Sequence, residues 1–231
     1  MVHIAVIGAH AGDAELMAGG IAAEAISQGL EVYFIHMTLG EKGHPTLSPK
    51  EYGKQKRKEA LLVAEKIGAK VIFMPYKDGE LYYNERTIIE IAKVLREIRP
   101  KVVITHWRGS LHKDHTITHD IVRDAVFYAA IKWFDIGGKE NFSRIYYAEN
   151  WEDSHEFQKD IYISISPESY KKWISAVKNY AFVRGETGFP YDEYYSNLAR
   201  IRGIESYTLY AQVLMKPWYA KKEIIKKIEK L

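Results

Sequence analysis

The sequence predicts an α/β fold, a three-layer sandwich built on a mainly parallel sheet. Short apolar runs of strand length alternate with longer amphipathic stretches of helix length, and such alternation implies right-handed crossovers between parallel strands. Two of the apolar runs, residues 2–7 and 102–105, empty into turns carrying histidine and acid side chains. Those turns fall at carboxyl ends of strands, where open parallel sheets bind ligands. With 231 residues the chain can bury one substantial core. It is expected to form a single domain, 1–231, with a core over 1–135 and a tyrosine-rich C-terminal elaboration over 136–231.

Residues 2–7 are a buried strand ending at Gly8-Ala9. Residues 13–29 read as a helix with Gly29 as C-cap, and Asp13 at its start also suits the helix dipole. Residues 31–38 form a second buried strand. The loop 39–49, with several glycines and prolines, is expected at a site rather than in an element. Residues 50–68 make an amphipathic helix with Ala60, Leu61, Ala64 and Ile67 on one face. A short strand at 70–74, a polar loop at 76–84 and a helix at 85–98, stopped by Pro100, follow. After the strand at 102–105 comes a loop holding His112, Asp114 and His115, then a helix over 116–134. Strands at 144–148 and 160–165 and a helix at 167–181 complete a Rossmann-like pattern.

The last third is crowded with Tyr191, Tyr194, Tyr195, Tyr207 and Tyr210. These are expected to pack core and subunit contacts, which is compatible with a homo-oligomer, while one or two could line a sugar pocket. Residues 218–231 read as a lysine-rich amphipathic helix, suited to a surface or a subunit contact rather than a membrane.

Charged residues are 27% and apolar ones 47% of the chain, as in ordinary globular proteins. A net charge of +3 is too small to argue for nucleic acid. No run approaches the ~18 apolar residues of a membrane span, and no signal peptide opens the chain, so a cytoplasmic protein without membrane partners is expected. There is no cysteine; any metal must take nitrogen and oxygen ligands. A lone His and Asp in a loop are usually just solvated. Two strand-end clusters that face one point instead supply the His and carboxylate set of a catalytic divalent ion with an open position for water. His106 reads as a packed or supporting histidine, and His119, four residues after His115, as a rival ligand.

The stretch His10-Ala11-Gly12-Asp13-Ala14-Glu15, followed by Ala18-Gly19-Gly20, resembles the His-Pro-Asp-Asp-x-Glu signature of the PIG-L/LmbE-type zinc-dependent N-deacetylases. His112-Lys113-Asp114-His115 is similar to their His-x-Asp-His motif. Thr38 to Gly43, Arg57-Lys58-Glu59 and Asp78-Gly79 are similar to intervening patterns, and Arg200 to Gly203 and Tyr210-Ala211 more faintly so. The resemblance implies removal of acetate from a small amino-sugar of the N-acetylglucosamine type. It implies zinc, or another divalent transition metal, on His10, Asp13 and His115. It further implies His112, oriented by Asp114, at the oxyanion and leaving amine, and Arg57, Asp78 and Glu41 around the substrate.

One departure stands out: where the family carries its general base, this chain has Gly12, and Ala11 replaces the preceding proline. Losing a general base costs roughly 10²–10⁴-fold, while metal-activated water keeps some reactivity. Three readings follow. Glu15, Glu41 or Asp114 serves as base; or Gly12 opens room for a bulkier or anionic group and a different amide or ester is cleaved; or the protein binds metal and sugar without turnover. A nucleotide site is set aside, since Glu15 stands where the third fingerprint glycine belongs and an acidic turn repels phosphate.

Overall fold

The computed structural model describes residues 2–220. Its elements run β1 (Val2–Gly8), α1 (Asp13–Ser27), β2 (Glu31–His36), α2 (Pro49–Ile67), β3 (Lys70–Phe73), α3 (Glu85–Ile98), β4 (Val102–Thr105), α4 (Lys113–Ala130), β5 (Arg144–Ala148), β6 (Ile161–Ile165), α5 (Pro167–Val177), α6 (Tyr191–Glu205) and β7 (Tyr210–Met215). The seven strands lie in the order β3-β2-β1-β4-β5-β7-β6. The first five pair in parallel, and β7 runs antiparallel to both β5 and β6. The expected α/β sandwich with a mainly parallel sheet is therefore present.

Side chains alternate across the strands. Val6, Phe34 and Ile104 point to a core shared with α1, α2, α5 and α6. Ala5, Ile7, Ile35 and Val103 point to the other face, packed on α3 and α4. Local chemistry sets the helix limits. Ser48 and Glu51 form a capping box ahead of Pro49, and Gly68 closes α2 at φ 92°. Asn84 accepts from the Thr87 amide to open α3.

Helix α4 begins at Lys113, three residues before the expected start, because the His112 imidazole caps it by accepting the Asp114 amide at 3.1 Å. Imidazole is not among the usual capping side chains, so the sequence hides this start. The helix also ends early, at Ala130. Buried Arg96 donates to the carbonyls of Ala129, Ile131, Phe134 and Gly137, drawing the chain out of helical register. Helix α5 likewise stops at Val177 rather than 181.

The tyrosine-rich third hides two unforeseen elements, α6 and β7. Strand β7 inserts between β5 and β6 and repairs a fault in α1. Ala18 leaves helical geometry there (φ −141°, ψ 15°). The buried Gln212 side chain accepts from the Ile21 amide at 2.9 Å and donates to the Leu16 and Met17 carbonyls at 3.2 Å, satisfying groups that the kink would orphan. Gly19 and Gly20 permit this close approach: a Cβ on Gly19 would lie 2.4 Å from Trp173 and one on Gly20 2.8 Å from Gln212 Oε1. Of the five tyrosines, Tyr195 is buried, Tyr210 stacks on Tyr170 and Tyr207 is exposed. The helix expected over 218–231 lies, from residue 221, outside the described residues. No helix among the described residues is long and apolar enough to cross a membrane.

Trp173, fully buried, donates from its indole to the Glu15 carbonyl at 2.7 Å and ties α5 to α1 beneath the site. Trp173→Ala is expected to cost about 3–5 kcal/mol, measured by urea unfolding.

Candidate metal centre

The strand order reverses between β1 and β4, so the crevice of the sheet opens at their carboxyl ends. The loop after β1 delivers His10 and Asp13, and the cap and first turn of α4, after β4, deliver His112 and His115. The Asp13 carboxylate gathers them. Its Oδ2 accepts from the His10 amide at 2.7 Å and lies 3.1 Å from His10 Nδ1 and 3.3 Å from His115 Nε2. Ligand atoms on a tetrahedral ion with bonds near 2.1 Å sit about 3.4 Å apart, so these spacings suit one divalent ion. The donor atoms of His10, Asp13 and His115 all fall within 4.8 Å of one another. Asp114 Oδ1 is buried beside them without a hydrogen-bond partner, and His10 Nε2 faces the Asp78 and Asp114 carboxylates at 3.2 and 3.5 Å.

Charge points the same way. Burial opposes a charged His115, yet the Asp13 and Asp153 carboxylates outweigh it and raise the imidazole to about 10. His10 is raised well above its ordinary value by Asp13, Asp114 and Asp78, again against burial. The cluster thus holds an excess of negative charge that protons fill, and a metal ion would displace them.

Behind the centre lies a support that the sequence reading missed. Asp153, in a short 3-10 turn (Trp151–Asp153) after β5, is fully buried. Its Oδ1 takes His115 Nδ1 at 2.8 Å and its Oδ2 takes His106 Nδ1 at 2.7 Å, leaving His115 Nε2 free to face the metal position. His106 accepts the Ala9 amide on its other nitrogen at 3.0 Å, so both ring nitrogens are engaged and it supports rather than ligates. His119 is bonded to the His106 carbonyl and packs against Trp107 and Tyr147, off the centre. The signal for Asp153 was a third strand end followed by acids, Asn150 to Asp153.

The remaining expected residues divide. His112 and Asp78 line the pocket together with Lys56, Glu152, Tyr191 and Tyr195. Asp78 lies 3.2 Å from His10 Nε2 and accepts the Lys42 amide at 2.8 Å. Asp114 does not hold the His112 ring. Its carboxylate accepts the Gly79 amide at 2.7 Å, and only its own backbone amide reaches His112 Nδ1. Glu41 is one layer back, accepting the Asp78 amide at 3.0 Å. Glu15 is sealed behind the pocket, bonded to the Gly12 amide and the Tyr180 hydroxyl and 3.3 Å from His36. Arg57 is exposed and stacks on Phe73; its neighbour Lys56 faces inward instead.

Gly12 opens no room. It adopts φ +111°, a conformation that disfavours side chains, and a Cβ there would lie 2.6 Å from the Phe182 ring and 3.6 Å from Lys56 Nζ. The place beside Asp13 is filled by an aromatic edge and an ammonium. What remains is a cavity of about 160 Å³.

Asp153→Asn is expected to weaken divalent-metal affinity 10–100-fold by freeing the His115 ring, whereas His119→Ala leaves it unchanged. Chelator competition measures both. Because the His10 and His115 protons must leave, metal uptake releases protons and weakens as pH falls.

The sequence matches the family PIG-L: GlcNAc-PI de-N-acetylase over residues 5–126. It is 24% identical over 212 residues to a curated 4-oxalmesaconate hydratase of Pseudomonas putida KT2440, covering 87% of this chain and 80% of the relative. The fold matches the solved 4-carboxy-2-hydroxymuconate hydratase of that organism with TM-score 0.87 at 22% identity, over 97% of this chain and 100% of the other. It matches the N,N'-diacetylchitobiose deacetylase of Pyrococcus horikoshii with TM-score 0.79 at 20% identity, over 94% and 87% respectively. One fold thus serves proteins named as deacetylases and as hydratases. Since the family match spans more than half of the sequence and takes in both strand-end clusters, the chain belongs to the PIG-L family.

Proposed function

We propose that this protein is a metal-dependent hydrolase, an N-deacetylase that releases acetate from a compact amino-sugar of the N-acetylglucosamine type. The convergence of His10, Asp13 and His115 on one point, with His112 at the same pocket, carries this reading. A divalent ion held there supplies Lewis acidity and lowers the pKa of water towards ~7; zinc fits a nitrogen and oxygen donor set, as other transition metals do.

The base falls to a different carboxylate from those the motif suggests. Glu15 is walled off and Glu41 is turned away. Asp78 is engaged on both oxygens. Glu152 lines the pocket, with 3.4 Å to His115 Nδ1 as its nearest ionic neighbour, and it takes the proton of the attacking water. His112 accepts an amide on Nδ1, so its neutral ring carries its proton on Nε2. Burial, together with the nearby His10 and His115, holds its pKa below the ordinary value. His112 therefore stays neutral and donates a hydrogen bond to the developing oxyanion. The leaving nitrogen then receives the proton held by Glu152. Asp78 and Tyr191, which line the pocket, hold sugar hydroxyls in this reading; Arg57, expected there as well, is exposed and stacks on Phe73 instead.

A second reading is addition of water across an activated carbon–carbon double bond. It draws on the hydratase activity named for the Pseudomonas putida relative and uses the same water and the same His112 donor.

Zinc-loaded protein is expected to release acetate from N-acetylated amino-sugars, with Glu152→Gln slower by 10²–10⁴-fold and His112→Ala by at least 10²-fold. Gly12→Asp alone does not accelerate it, because the new side chain meets Phe182 in a strained backbone. Absence of acetate, together with loss of ultraviolet absorbance from a conjugated unsaturated acid, would favour hydration instead.

A further inference from the structure

Lys56 has no role in the reaction just described, and its surroundings are unusual. It projects from α2 into the metal pocket with only 5% of its surface exposed. Among the described residues it makes no hydrogen bond and no ion pair within 4.0 Å. Lysines are rarely buried unless paired, and otherwise extend their ammonium to water. Here the ammonium stands among rings, 3.8 Å from the centroid of Phe182, 5.3 Å from Tyr180 and 5.8 Å from Tyr52. Ring faces attract a cation but leave its donors unfilled.

The acids around it act from a distance. Asp13 and Glu15 of α1, Glu59 of its own helix and Asp78 beyond β3 favour its charge without touching it. Asp13 is expected to spend its charge on the metal. Burial lowers the ammonium to about 8, which leaves it positive at pH 7. A cation with three unused donors therefore sits 3.6 Å from where a Gly12 side chain would begin, one residue from a metal ligand.

We infer that Lys56 is the seat of a substrate carboxylate: the natural substrate, amino-sugar or not, carries an anionic group that rests on this ammonium while its reacting end faces the metal residues. The inference rests on the proposed metal site, and it applies whether the bond attacked is an amide or a double bond.

Succinate and its neutral counterpart succinamide test this by calorimetry at pH 7, on zinc-loaded and on metal-free protein. Wild type is expected to bind succinate at least tenfold more tightly than succinamide. Lys56→Met should lose that preference by tenfold or more, keep its affinity for succinamide and its zinc content, and melt at the same or a higher temperature, since a buried unpaired charge is removed. Lys56→Gln gives the same reading should Lys56→Met fail to fold. Unchanged succinate affinity in these variants, or no preference for succinate in wild type, overturns the inference. If wild type fails to retain zinc, the metal reading falls by itself, and the metal-free comparison still decides on Lys56.

Discussion

One carboxylate oxygen organises this molecule. Asp13 Oδ2 holds the His10 amide and lies within 3.4 Å of three imidazole nitrogens, on His10, His106 and His115. So enclosed a negative charge is tolerable only when donors or cations surround it; the His10 amide and ring and the His115 ring supply them, while His106 Nε2, which accepts the Ala9 amide, packs at the edge without donating. His10 follows β1, His106 follows β4, and His115 rides the first turn of α4. The strand-order reversal that separates β1 from β4 makes the gap, and the Asp13 charge draws the side chains into it. Asp153 repeats the device one layer deeper by holding two of those rings, and its own carboxyl is kept well below the usual range by His106 and His115 despite burial.

The parts of this arrangement that the sequence displays are those with local signatures. Apolar runs, capping boxes and terminal glycines mark the strands and most helices, and His and Asp at two strand ends mark the metal ligands as candidates. Long-range geometry is what it conceals. Arg57 and Lys56 are adjacent cations on one helix, and nothing local says which turns inward; the packing of α2 against Phe182 and Tyr180 selects Lys56. Asp153 lies 38 residues beyond His115 and becomes its partner only through the β4–β5 pairing. Strand β7 was masked because the tyrosines around it dominate the pattern, although Ala211, Val213 and Leu214 are buried.

Gly12 shows how one substitution is entangled with its surroundings. From the sequence it reads as the loss of a general base and, in one of three readings, as room beside the candidate metal ligands. In the fold its backbone is left-handed and its space belongs to Phe182, held by the segment after α5. The space a side chain at Gly12 would enter is taken by the Phe182 ring and the Lys56 ammonium. Restoring the aspartate in isolation therefore adds a side chain with nowhere to go.

The Gln212 bridge has a consequence in time as well as in space. It mends the kink in α1 from 191 residues away in the chain, so the helix that presents Asp13 is left with unsatisfied backbone groups until β7 has entered the sheet. During synthesis the candidate metal ligands emerge early, yet the scaffold that fixes them is completed only after residue 212 has been made. Contacts of such separation close slowly. The nascent chain therefore passes through a long interval in which the histidines and acids are present but not yet assembled, so a site of this kind is completed at the end of folding rather than its beginning.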